Sequence, residues 1–179
     1  MDKKIWQWER TLASETFLIS TAPDLLPHSF VSQAFATEDM FWTQKVSDEA
    51  IQTMLRNSCT LGVYKVSDGG EREPIGMARM VTDYTTLAYL TDVYLQDAYR
   101  SLGLGKWIIR CCREIVLEYS DLRFMVLLTG SEKAQRLYRT ELGMGSLDGR
   151  EQKLVCMGAR KEKLAEAAAA RDGPETTHE

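Results

Sequence analysis

Histidine is scarce: His28 and His178 are the only two among 179 residues, and the second lies in a polar tail. That leaves no spacing resembling a zinc site and no histidine placed for a nucleophilic triad. The four cysteines, two of them adjacent at Cys111 and Cys112, lack the spaced framework of a small secreted scaffold. Cys59, Cys111, Cys112 and Cys156 all fall in apolar runs and read as buried, inert thiols in a reducing compartment. No stretch approaches the roughly 18 consecutive apolar residues of a membrane helix. Met1-Asp2-Lys3-Lys4 leads into polar, Trp-bearing sequence and not into an apolar signal core. The expectation is a cytoplasmic protein with no membrane partner. Charge of one sign is also missing: 22 Lys and Arg against 26 Asp and Glu give a net −4, mixed along the chain. No field of that kind holds a phosphate backbone, so nucleic acid is not an expected partner.

What is present suits one ordinary domain. A chain of this length buries roughly 70% of the surface its unfolded form exposes, enough for a core without metal or disulfide. Phe17 to Thr21 reads as a strand, and Pro27 to Phe35 as a helix with Phe30, Val31, Ala34 and Phe35 at helical spacing. Ser47-Asp48-Glu49 opens a second helix, with Ala50, Ile51, Met54 and Leu55 on one face and a stop near Asn57. Strand runs at 59–66 and 75–81 flank the turn residues Ser67-Asp68-Gly69-Gly70 and predict a hairpin. A turn at Asp83 to Thr86 leads to a strand over 87–95. A long amphipathic helix follows, with Trp107, Ile108, Cys111, Cys112, Ile115 and Val116 on its apolar face. A strand over 124–129, a helix capped by Ser131 and a run at 154–157 complete the set, with residues 1–159 as one domain. Residues 160–179 read as an exposed helical tail rich in alanine, stopped by Asp172-Gly173-Pro174. Interleaved strands and helices predict a mixed α/β architecture.

The sharpest local feature runs from Asp92 through Arg100-Ser101-Leu102-Gly103-Leu104-Gly105-Lys106. It is a strand entering a glycine-punctuated turn that opens a helix. Free amides at the helix start and its positive dipole end, with Arg100 and Lys106 alongside, suit a pyrophosphate. Gly103 and Gly105 remove the Cβ atoms that would hold an anion away. Neither the Gly-x-x-x-x-Gly-Lys-Ser/Thr loop nor the full Gly-x-Gly-x-x-Gly fingerprint is present, and the glycines alone could serve only close packing.

Arg100-x-x-Gly103-x-Gly105, preceded by Val93-x-Leu95 on a strand, resembles the acyl-CoA pyrophosphate motif of the GNAT superfamily of N-acyltransferases. The resemblance extends to Ala134-x-x-Leu137-Tyr138 followed by Leu142-Gly143-Met144, and in element order it covers Gly62 to Met157. Segments 76–84 and 90–93 look like a subgroup of small GNAT acetyltransferases. The implied fold is a central mixed, mostly antiparallel sheet flanked by helices, and the implied cofactor is acetyl-CoA. The strand bearing Val93, Tyr94 and Leu95 would then splay from its neighbour and offer backbone groups to the pantetheine arm. Residues 100–106 would wrap the pyrophosphate. Ser131 stands where many relatives carry a cofactor-touching asparagine, so it is either an N-cap or a ligand, with the cap favoured. The spacing from Tyr138 to Gly143 is one residue longer than usual in the family, which predicts a bulge or a longer helix end.

The resemblance implies transfer of an acetyl group to a small-molecule or peptide amine, directly in a ternary complex, and leaves room for a homodimer. Tyr138 is the implied acid, a phenol with reference pKa about 10 that can protonate the departing thiolate. The amide of Val93 or Leu95 would polarise the thioester carbonyl. Asp92 is the candidate base for the acceptor amine, or else a salt-bridged carboxylate; Asp83 and Tyr84 are alternatives, or else a solvated hairpin tip. Phe35, Met40, Phe41 and Trp42, with Glu38 and Asp39 beside them, could hold an amine or simply cover the sheet end. A non-catalytic acyl-CoA-binding module and a protein-interaction adaptor using the tail are the competing functional classes.

Overall fold

The computed structural model describes residues 4–44, 46–147, 159 and 161–169. Its first compact unit runs from Met1 to Gly143 and holds six strands in the order β1-β2-β3-β4-β5-β6. The strands are β1 (Gln7–Leu12), β2 (Glu15–Ser20), β3 (Cys59–Val66), β4 (Arg72–Thr82), β5 (Leu87–Leu95) and β6 (Phe124–Leu127). Every neighbouring pair is antiparallel except β5 and β6, which run parallel. The helices of this unit are α1 (His28–Phe35), α2 (Asp48–Arg56), α3 (Leu104–Leu117) and α4 (Glu132–Leu142). In the second unit, Met144 to Glu179, the described helix is α5 (Lys161–Ala169), with Lys163 and Glu166 paired at 2.7 Å.

Alternation along the strands makes the sheet two-faced. Phe17 and Ile19 of β2 join Leu61 and Val63 of β3 under α3, where Leu104, Ile109, Cys112 and Ile115 are buried. Leu18 and Tyr64, one residue out of phase, point to the other face and pack with Phe30, Val31 and Ile51 of α1 and α2. A period of two in the strands and of three to four in the helices therefore yields two apolar layers from one sheet. Ser47 caps α2 as its sequence predicts, its hydroxyl accepting from the Ala50 amide at 3.2 Å.

From sequence, Trp6 and Trp8 read as packing or as the decoration of a first strand, with no bounds given; the structure delimits that strand as β1. Residues 7–12 alternate exposed and half-buried and pair with β2 across a turn in which Ala13 and Ser14 both take positive φ, 48° and 69°. That turn conformation normally announces itself as Asn-Gly, and Ala-Ser carries no such signal. Trp6 and Trp8 tie the hairpin to α3 through indole N–H donors to Glu118 (3.0 Å) and Glu114 (2.7 Å). The run at 154–157 lies outside the described residues, as do Cys156 and His178.

Candidate active site

Register places the site. The parallel ladder between β5 and β6 pairs Leu87 with Phe124 through Leu90 with Leu127 and then stops, because β6 ends there. Strand β5 continues from Thr91 to Leu95 with no partner on that edge among the described residues. Backbone amides and carbonyls along an open edge can bond an extended ligand as an added strand would. Side chains alternate around it: Val93 and Leu95 lean on the α3 core, and Tyr94 on the α1 and α2 core, its ring 6.1 Å from Phe30.

On the other edge of the same segment the ladder with β4 is broken. Met77 pairs with Tyr94 and Arg79 with Thr91, so Asp92 and Val93 together oppose Ala78. This is a β-bulge, and Asp92 takes φ +48° in it. Asp92 is 4% exposed; its carboxylate accepts from Arg79 Nε at 2.6 Å and pairs with Arg79 Nη2 at 2.6 Å, both through Oδ2. Thr91 Oγ1 lies 3.1 Å from Oδ1. Of the readings left open for Asp92, the geometry shows the salt-bridged carboxylate, with Oδ2 shared by two guanidinium nitrogens. Arg79 is the residue that sequence reasoning missed, and its pairing with Asp92 depends on a register slip that no local pattern announces.

Past Leu95 the chain makes a 3-10 turn over Asp97–Leu102, reaches Gly103 in the left-handed region at φ +76°, and enters α3. The first intrahelical bond is Trp107 N–H to Gly103 C=O, and no side chain caps the end. The amides of Leu104, Gly105 and Lys106 are thus the orphan donors of a helix start. A Cβ at Gly103 or Gly105 would meet nothing within 4 Å, so the space beside these two glycines is open. Such a turn fits a diphosphate, whose oxygens need close, uncovered N–H groups and the positive helix end. Arg100 departs from the expectation of a free phosphate ligand. Its Nε donates to Leu95 C=O at 2.9 Å, Nη1 pairs with Asp97 at 2.8 Å and Nη2 with Asp39 at 2.6 Å.

Helix α4 carries Tyr138. Its N-cap is Ser131, whose hydroxyl accepts from the Ala134 amide, so the cap expected from sequence is present. The extra residue before Gly143 is taken up by the helix itself, which runs to Leu142 and closes with Gly143 N–H on Arg139 C=O. Tyr138 is half-buried against the α3 core, and burial raises its phenol above the ordinary tyrosine value, keeping it protonated. Glu141, buried at the end of α4, accepts from Arg110 Nε at 2.7 Å, while Arg113 donates to the Glu141 carbonyl. The Arg110 contact holds the Glu141 carboxyl below its usual range.

The segment between α1 and α2 divides the residues grouped there. Phe35 and Met40 are core, whereas Phe41 (80% exposed) and Trp42 (47%) stand out as an edge-to-face pair at 5.1 Å. The Asp39–Arg100 bridge brings this segment to the same end of the sheet as the glycine turn. Asp83 and Tyr84 lie at the opposite end, in the turn joining β4 to the start of β5. Asp83 accepts from the amides of Thr85, Thr86 and Leu87 and from the Thr86 hydroxyl, which holds its carboxyl far below the usual range. It caps its own turn, remote from the open edge. A cavity of about 630 Å³ at that remote end, lined by Trp6, Thr21, His28, Thr60 and Tyr84, shares no residue with the β5 edge.

Burial pushes Cys111 up to about 12 and Cys112 well above the usual thiol range. Neither is poised as a nucleophile. Among the described residues no cluster of His, Cys, Asp or Glu could hold a metal ion, and no helix is long and apolar enough to cross a membrane.

Known proteins share this fold. A protein of Gibberella zeae provisionally named an acetyltransferase is 29% identical over 141 residues, 72% of this chain and 78% of its own length. A crystal structure from Xanthomonas campestris pv. campestris, provisionally assigned to the GNAT family, superposes with TM-score 0.62 at 24% identity, covering 80% of this chain and 93% of its own. The glucosamine-6-phosphate N-acetyltransferase of Arabidopsis thaliana shares the fold at TM-score 0.55 and 15% identity, over 82% of this chain and 99% of its own. The sequence profile of the Acetyltransferase (GNAT) family matches residues 27–144, a span that runs from α1 through the open edge of β5 and the glycine turn to the end of α4. The chain belongs to the GNAT family of acetyltransferases.

Proposed function

We propose that this chain is an acetyl-CoA-dependent N-acetyltransferase acting on a primary amine by direct transfer in a ternary complex. One observation carries the reading: the open β5 edge, Thr91 to Leu95, leads through a single 3-10 turn to the start of α3, where the backbone beside Gly103 and Gly105 is uncovered. Pantetheine is an extended chain of amides ending in a diphosphate, and this path offers ladder bonds first and an anion cradle after them. Residues 101–106 would hold the diphosphate, and Val93, Tyr94 and Leu95 the arm. Bound acetyl-CoA supplies the acetyl group already activated as a thioester.

The chain's own groups supply the rest. The Val93 or Leu95 amide donates to the carbonyl oxygen, where negative charge develops during attack. Tyr138 Oη holds the proton that the departing sulfur takes, and its burial keeps that proton on at neutral pH. The buried Cys111 and Cys112 support direct attack by the amine over an acyl-enzyme. With Asp92 committed to Arg79, the acceptor enters as its neutral minority form, so kcat/KM for the amine rises with pH toward the amine's own pKa, about 10.

Calorimetric titration with acetyl-CoA, followed by thiol release over a panel of amines, tests the reading. Binding with turnover of at least one amine is expected. Binding without turnover makes the chain a non-catalytic acyl-CoA module, and absence of binding removes the proposal.

A further inference from the structure

We propose that Arg79 is a positioning residue for acyl transfer: by gripping Asp92 inside the bulge it fixes the direction of the Val93 amide at the open edge of β5. The inference rests on the N-acetyltransferase reading above and adds to it a residue that touches neither substrate.

Asp92 holds φ +48° in a strand, a conformation that L-residues adopt only when their surroundings impose it. The imposing contact is on the neighbouring strand. Arg79 sits across from Thr91, one residue beyond the Ala78 that faces the bulge, and both of its bonds converge on one oxygen of Asp92. The other carboxylate oxygen is engaged by Thr91. The two charged side chains are 14% and 5% exposed, so the pair is largely dry. A dry ion pair does little for stability that two apolar side chains would not do as well; its distinctive contribution is a single permitted geometry. The peptide plane carrying the Val93 N–H is joined directly to Asp92, so its tilt follows from the Asp92 backbone angles. Bulge and free edge coincide here: Val93 has no paired residue of its own on β4 and lies past the last β6 pair at Leu90. An amide held rigidly in that place can meet developing charge without first reorganising, whereas a mobile one cannot.

The test uses the full chain and four forms: native, Arg79→Met, Arg79→Lys and the neutral pair Arg79→Gln with Asp92→Asn. The neutral pair keeps hydrogen-bonding groups and leaves no lone buried charge, so it reports even if Arg79→Met fails to fold. Steady-state kinetics, coenzyme A affinity by calorimetry and the infrared carbonyl stretch of bound carbon-13 acetyl-CoA are measured for each. Arg79→Met and the neutral pair should lower kcat by about 10- to 100-fold with KM for acetyl-CoA and coenzyme A affinity held within about threefold. Their bound carbonyl stretch should return toward the free value, and Arg79→Lys should recover part of both losses. A merely structural Arg79 would move affinity and kcat together and leave the stretch in place. Native kcat and native carbonyl stretch in the neutral pair overturn the positioning role alone. A native chain that does not bind acetyl-CoA overturns the acetyltransferase reading and this inference with it. If the native chain binds without turnover, the stretch in the binary complex still decides the role of Arg79.

Discussion

Asp39, between α1 and α2, and Arg100, in the turn before α3, meet at 2.6 Å across the end of the sheet where β5 loses its partner. The same guanidinium also holds Asp97 and the Leu95 carbonyl, so each of its nitrogens has a protein acceptor. On the reading proposed above, a diphosphate at this turn would draw on Arg100 only in competition with Asp39.

Removing the competitor has a definite sign. Exposed ion pairs contribute about 0.2–1 kcal/mol, so Asp39→Asn should tighten coenzyme A binding by about 1.4- to 5-fold at low salt and by less at high salt. Calorimetry at two ionic strengths checks this. Weaker binding in the variant would mean instead that Asp39 orients Arg100 for the ligand.

Replacing Tyr138 by Phe removes the phenol and leaves the ring packed against the α3 core. Turnover should fall by about 100-fold or more while coenzyme A affinity stays within about threefold. Burial raises the Tyr138 pKa, so the native pH profile should show no descending limb below about pH 10. Turnover that survives the substitution would give the proton donor's role to another group.

Gly105 offers a test of the turn that spares the fold. A Cβ there meets nothing within 4 Å, and valine is a slightly better helix former than glycine, by about a few tenths of a kcal/mol. Gly105→Val should therefore melt no lower than the native chain yet bind coenzyme A at least about tenfold more weakly, because the new side chain occupies the approach to the amides. Undiminished affinity would place the diphosphate elsewhere.

Acid should loosen the turn that joins β4 to β5. The Asp83 carboxyl is held far below its usual range by bonds to Thr85, Thr86 and Leu87. Its contribution is complete above the ordinary carboxylate pKa, about 4, and is lost as pH falls toward the depressed folded value. Thermal melts across that range should show Asp83→Asn less acid-sensitive than the native chain. Some acid sensitivity should persist, since Glu118 and Glu141 are also held below their usual range. Identical acid profiles for the two forms would remove Asp83 from the effect.

How much of this was legible beforehand follows from how local each cause is. Helices α2, α3 and α4 announce themselves because apolar spacing and the caps Ser47 and Ser131 act within a few residues. The glycine turn is equally local. Strand β1 is not, because the Ala13-Ser14 turn adopts left-handed angles without the residues that favour them. Nor does any neighbour in sequence reveal that Arg79 belongs to Asp92, since thirteen residues and a register slip separate them. The split between buried Met40 and exposed Phe41 likewise depends on which side of a short 3-10 turn meets the core.

Helices α3 and α4 are stapled at Glu141, whose side chain accepts from Arg110 and whose carbonyl accepts from Arg113. The glycine turn at the head of α3 and Tyr138 on α4 consequently lie on helices joined to each other. On the reading proposed above, the diphosphate site and the proton donor would therefore sit on two helices joined through one residue.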